Sequence, residues 1–130
     1  SKKEMKKINK NKAEELKSQF PNGYQIFSII DRKIIPYRKF QTEEVKIDWS
    51  TAEIINVNKD YIEIMLPDAQ LPGNNILKSN MIRVANREGL ISSGHFVING
   101  WSSVVKILRS DKEKIIAVVG YEKINRQNLS

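Results

Sequence analysis

Residues 45–49, VKIDW, alternate without a break: Val45, Ile47 and Trp49 fall on one face of an extended chain, Lys46 and Asp48 on the other. That is the pattern of a half-buried strand. From Tyr24 onward the same vocabulary recurs in short runs. YQIFSII (24–30) meets IIPYRKF (34–40) across DRK, AEIINV (52–57) meets YIEIML (61–66) across NKD, and MIRVA (81–85) forms a further run. Pro36 cannot donate to a ladder, so its strand is expected at an edge or a bulge. In the last hairpin, SVVKILR (103–109) and KIIAVVGY (114–121) about SDKE, residues Ile115 to Val119 are apolar without alternation. A strand of that kind needs both faces covered, which predicts a central position with a second sheet or the N-terminal helix over its far side.

Two other segments read differently. PDAQLPGNN (67–75), with two prolines, a glycine and two asparagines, reads as an irregular loop, and such loops often carry contacts; Asp68, Gln70, Asn74 and Asn75 are the candidate partner contacts. Ahead of the strands, residues 1–20 hold good helix formers, with Met5, Ile8, Leu16 and Phe20 on a loose one-face spacing broken by Lys12. PNG (21–23) ends this segment. The expected fold class is α+β: an N-terminal helix followed by a mainly antiparallel β barrel or sandwich of about seven or eight strands. The expected division is a basic helix over 1–20, a β-rich domain over 21–124 and a tail over 125–130.

ISSGHFVINGW (91–101) holds the single histidine, His95, beside Ser92 and Ser93. A nucleophilic serine needs an oriented base and a sharp turn to present it, and GLISSGH is not the G-x-S-x-G elbow. A hairpin accounts for the stretch more simply. With Asn99-Gly100 as a two-residue turn, His95 would face Val104. Phe96, Ile98, Trp101, Val105 and Ile107 would then share an apolar face, and Ser93, His95, Val97, Ser102, Val104, Lys106 and Leu108 a mixed one.

Charge and composition narrow the functional classes. The chain has no cysteine, which removes disulfides and thiolate chemistry and leaves the compartment open. One histidine without cysteine does not build the usual nitrogen and sulfur metal sites, and Glu43, Glu44 and Asp48 read as solvated charge. The glycines are scattered singly, so no phosphate-cradling loop is present and no cofactor is expected. Apolar runs such as IIAVV fall far short of the roughly 18–20 residues that cross a bilayer. Ser1 rather than Met opens the sequence, which reads as processing or trimming, so a membrane anchor is expected only outside the given chain.

The net charge of +7 is lopsided: residues 1–18 carry seven lysines against three glutamates, and the rest of the chain is only mildly basic. A nucleic-acid-binding small β-barrel would use Arg83, Arg87, Lys106, Arg109, Lys112 and Lys114, with Tyr37, Tyr61 or Tyr121 as stacking partners. Asp111, Glu113 and Glu88 interrupt that patch. The reading that fits best is a single-domain, non-catalytic protein-binding or assembly module, such as the soluble part of a membrane-anchored or multi-component bacterial-type scaffold. Nucleic-acid binding and a hydrolase using His95 are the alternatives.

Overall fold

The computed structural model describes residues 13–37, 45–93 and 100–123. They form one helix, α1 (Ala13–Gln19), and eleven strands. The first five strands are β1 (Tyr24–Ile30), β2 (Lys33–Pro36), β3 (Lys46–Asp48), β4 (Glu53–Val57) and β5 (Tyr61–Met65). The others are β6 (Asp68–Leu71), β7 (Asn75–Leu77), β8 (Met81–Ala85), β9 (Ile91–Ser93), β10 (Trp101–Ser110) and β11 (Ile115–Lys123). They make three antiparallel sheets: β2-β1-β11-β10-β9, β3-β6-β7 and β4-β5-β8.

β11 is the middle strand of the large sheet, and all seven residues from Ile115 to Tyr121 are buried. Its inner face presents Ile115, Ala117, Val119 and Tyr121, flanked by Phe27 and Ile29 of β1 and Trp101, Val105 and Ile107 of β10. Opposite lie Ile54, Ile62, Ile64, Ala69, Leu71, Leu77, Ile82 and Val84 from the two small sheets, so three sheets enclose one core. Trp49 packs its ring against Phe27, 5.2 Å between centroids. Val45, Ile47 and Trp49 all turn toward this core, as their alternation predicts.

The outer face of the same sheet has its own core. Tyr24, Ile26, Val104, Leu108, Ile116 and Val118 pack against Leu16 and Phe20 at the end of the N-terminal segment. Two apolar residues four apart meet the sheet from one side of α1, and the chain then turns back through Gly23 at φ 138°. Phe20 lies so close over Gly120 that a methyl group there would stand 2.2 Å from its ring. Lys106, on this face, pairs with Glu15 at 3.8 Å.

Several expectations are corrected. The β-rich class stands, but the sheets form a layered sandwich and not a closed barrel, and the strands number eleven among the described residues. Segment 67–75 is not an irregular loop: β6 and β7 flank a 3-10 turn at Pro72–Asn74. The two prolines stand outside the ladder, while Ala69 and Leu71 alternate into the core. The register of β9 on β10 pairs Ser93, not His95, with Val104, two residues away from the pairing that an Asn99-Gly100 turn sets; His95 and Asn99 themselves lie outside the described residues. The shift is even, so Trp101, Val105 and Ile107 keep the core face. The face expected to be mixed is mixed among the described residues: Val104 and Leu108 are buried against Leu16 and Phe20, and Ser102 and Lys106 lie on the same face. Tyr121 is fully buried and cannot stack on a nucleic acid.

Pro36 falls on the edge strand β2, as expected. Because Tyr37 N–H donates to Ile26 O at 2.9 Å, alternation puts Ile34 and Pro36 at the positions that point away from β1. The missing N–H therefore costs the ladder nothing, and it blunts the open edge.

Two predictions follow from this packing. Gly120→Ala forces Phe20 off the sheet and should destabilise by about 1–3 kcal/mol in urea denaturation, an effect that shrinks in a Phe20→Ala background. The Tyr121 hydroxyl is buried without a hydrogen-bond partner among the described residues, and burial raises its pKa above the ordinary 10.0. The unfolded chain ionises at the ordinary value, so this contribution is intact below about pH 10 and is lost as the pH rises further. Tyr121→Phe should change stability at about pH 7 by no more than about 1 kcal/mol, in the stabilising direction, and should flatten the loss between about pH 10 and pH 11.

Candidate functional site

At one end of the sandwich the connections β1–β2, β4–β5 and β10–β11 converge with Asn86 around an open cleft of about 890 Å³. Each is held by its own local chemistry. Asp31 and Arg32 form a two-residue connection between Ile30 and Lys33, with φ of 51° and 62°. Positive φ at both central residues matches the twist of a hairpin, although glycine and asparagine adopt it at lower cost. The Arg32 guanidinium reaches across to donate to Ile55 O at 2.9 Å. In the β4–β5 connection the Asn58 side chain accepts from the backbone N–H groups of Asp60 (2.9 Å) and Tyr61 (2.8 Å). The Asp111 carboxylate does the same for Glu113 (3.0 Å) and Lys114 (2.8 Å). Asn and Asp are favoured in turns for this reason.

A polar relay ties the connections together. Asn86 Nδ2 donates to Asn58 O at 2.7 Å, and Ser110 Oγ donates to Asn86 Oδ1 at 2.5 Å. The apolar floor comes from Ile29, Val57 and Ile115. The rim carries both signs of charge: Arg32, Lys59, Lys112 and Lys114 stand with Asp31, Asp111 and Glu113. Lys59 and Lys112 are exposed and make no ion pair among the described residues. The cleft sets charged groups of both signs over a hydrogen-bonded base.

The residues singled out from the sequence separate. Asp68 and Gln70 line a shallow groove of about 390 Å³ on the outer face of the β3-β6-β7 sheet, with Lys46, Asp48 and Ile76. Asp48 and Asp68 stand opposite each other in the ladder. Their carboxylates are occupied locally, Asp48 by Ser50 and Asp68 by the Ser79 N–H at 2.6 Å. Asn74 is exposed at φ 60°, and Asn75 donates to Pro72 O at 2.9 Å.

The six basic candidates do not share one face. Arg83 lies over the Tyr61 ring, 4.2 Å from its centroid, and binds Glu63 at 3.1 Å. That contact with Glu63 holds its pKa above the ordinary value. Lys106 is on the helix-covered side, whereas Arg109, Lys112 and Lys114 cluster about the β10–β11 connection and Arg87 about β8–β9. Tyr37 packs against the outer core. His95, with Glu43 and Glu44, lies outside the described residues, so the hydrolase reading gains no geometry. Among the described residues no group of three or more His, Asp or Glu side chains could hold a metal ion.

The cleft itself escaped sequence reasoning, although Asn58 and Asp111 in their turns carried a readable signal. No protein-family model, curated protein or solved structure matches this chain. Asn86→Ala cuts both links of the relay and should destabilise by about 1–3 kcal/mol in thermal or urea unfolding, while Lys112→Ala should stay within about 0.5 kcal/mol of the parent.

Proposed function

We propose that the protein is a non-catalytic binding module that docks a protein partner at the cleft between the hairpin connections, as part of an assembly. The observation that carries this reading is the convergence of three separate connections and Asn86 on one open cleft with a rigid polar base and a rim of both charge signs. Loops fixed on a β scaffold are a common way to build a recognition surface. Protein surfaces match mixed-sign rims by placing opposite charges across the interface, whereas a phosphate backbone calls for one continuous basic field. Asp31, Asp111 and Glu113 break any such field here, and Arg83 and Lys106 are committed elsewhere.

The test begins with a selection from a displayed library of protein fragments against the full chain, followed by calorimetric titration of the selected fragment. The double substitution Lys59→Glu with Lys112→Glu should weaken binding at least roughly tenfold, the size expected when like charges meet across an interface. Gln70→Ala, in the separate groove, should leave it unchanged. Binding indifferent to the double substitution would refute the cleft as the contact surface. Oligonucleotide binding by the full chain that persists at physiological salt would instead favour the nucleic-acid reading.

A further inference from the structure

The large sheet ends in the edge strands β2 and β9, and the β4-β5-β8 sheet ends in β4 and β8. β9 lies beside β8 and β2 beside β4, yet neither pair forms a ladder. Two seams therefore run between the layers. At the β8–β9 seam Ser92 Oγ donates to Arg83 O at 3.2 Å. At the β2–β4 seam the contact is Arg32 Nη2 donating to Ile55 O at 2.9 Å. It comes from a turn whose two central residues both sit in the left-handed region without being glycine. Positive φ at such residues is strained backbone that persists only where the surroundings hold it.

The packing at this seam is correspondingly thin. Ile34 on β2 and Val57 on β4 are only partly buried against the main core, and Ile35 and Ile55 are exposed large apolar residues on the same two strands. Bonds within the β1–β2 hairpin point away from β4, since Ile34 and Pro36 face the open side. Nothing in the ladder ties the hairpin across the gap. We infer that the Asp31–Arg32 connection is a strained latch: its guanidinium holds the β2 flap against β4, and release of that one bond opens the seam beside the cleft while the β1-β11-β10 core stays closed. This device stands on the seam geometry and not on the binding reading.

The absence of cysteine from the chain makes the test clean. Single thiols are introduced in the full chain by Ile34→Cys and Val57→Cys, one on each side of the seam, and by Val105→Cys in the core as a reporter of global unfolding. Labelling rates under native conditions are compared with and without Arg32→Gly, which accepts the positive φ without strain and removes the side chain that carries the guanidinium. The expected result is a rise of roughly threefold to tenfold at positions 34 and 57, the effect of losing one hydrogen bond, with no change at position 105. Asp31→Gly, which relieves strain and leaves the guanidinium in place, should not raise the rates. Unchanged rates at 34 and 57 would overturn the latch. So would an equal rise at 105, because Arg32 would then stabilise the whole fold and not the seam.

Discussion

Seven consecutive residues of β11 exclude water from both faces at once, and the remaining architecture follows from that requirement. A sheet that is apolar on one side needs one covering layer, whereas this sheet needs two. The inner side is met by two small three-stranded sheets, which together supply the large cluster around Ile62, Ile64 and Val84. The outer side is met by Leu16 and Phe20. Leu16 and Phe20 are themselves buried by the contact, so the sheet face holds the end of the N-terminal segment as that segment covers the sheet. Gly120 lets the two surfaces approach, because a side chain there would occupy the place of the Phe20 ring.

Fixing the sheet by its middle strand leaves its edges free. β2 is blunted by Pro36 and held across the seam by Arg32, while β9 is met by a hydroxyl contact to β8. The hairpin connections then project from one end of a stiff frame, where Asn58, Asn86 and Ser110 bind them to one another. The core and the cleft thus draw on different parts of the molecule. The core is apolar and leaves its mark on residue type strand by strand, and the cleft carries its charged rim on connections far apart in the chain.

That division also explains what could be read from the sequence. YQIFSII coincides with β1, MIRVA with β8, and the unbroken apolar run Ile115–Val119 announced its central position, because burial on both faces leaves a direct mark on residue type. Alternation likewise placed Val45, Ile47 and Trp49 toward the core. β6 and β7 were hidden because strands of four and three residues lie between Pro67, Pro72 and Gly73, and their local turn signals outweigh the alternation of Ala69 and Leu71. The Ser93–Val104 register differs by two residues from the one an Asn99-Gly100 turn sets, because an Asn-Gly pair does not by itself fix which residues face each other. Val104 and Leu108 lie on a mixed face, and the distant Leu16 and Phe20 cover them. The cleft has no sequence signature as a whole, since Arg32, Lys59, Asn86 and Lys112 meet only after three hairpins have formed.

β11 is sealed on its outer side by the N-terminal segment, with Phe20 over Gly120. Proton NMR of the full chain reads this contact directly. Nuclear Overhauser effects are expected between the Phe20 ring protons and the Gly120 Hα protons, with those Hα resonances displaced by the ring current. A Phe20 ring that shows no such effects and whose signals match those of an exposed phenylalanine would contradict it, and would leave the outer face of the large sheet in need of a different cover.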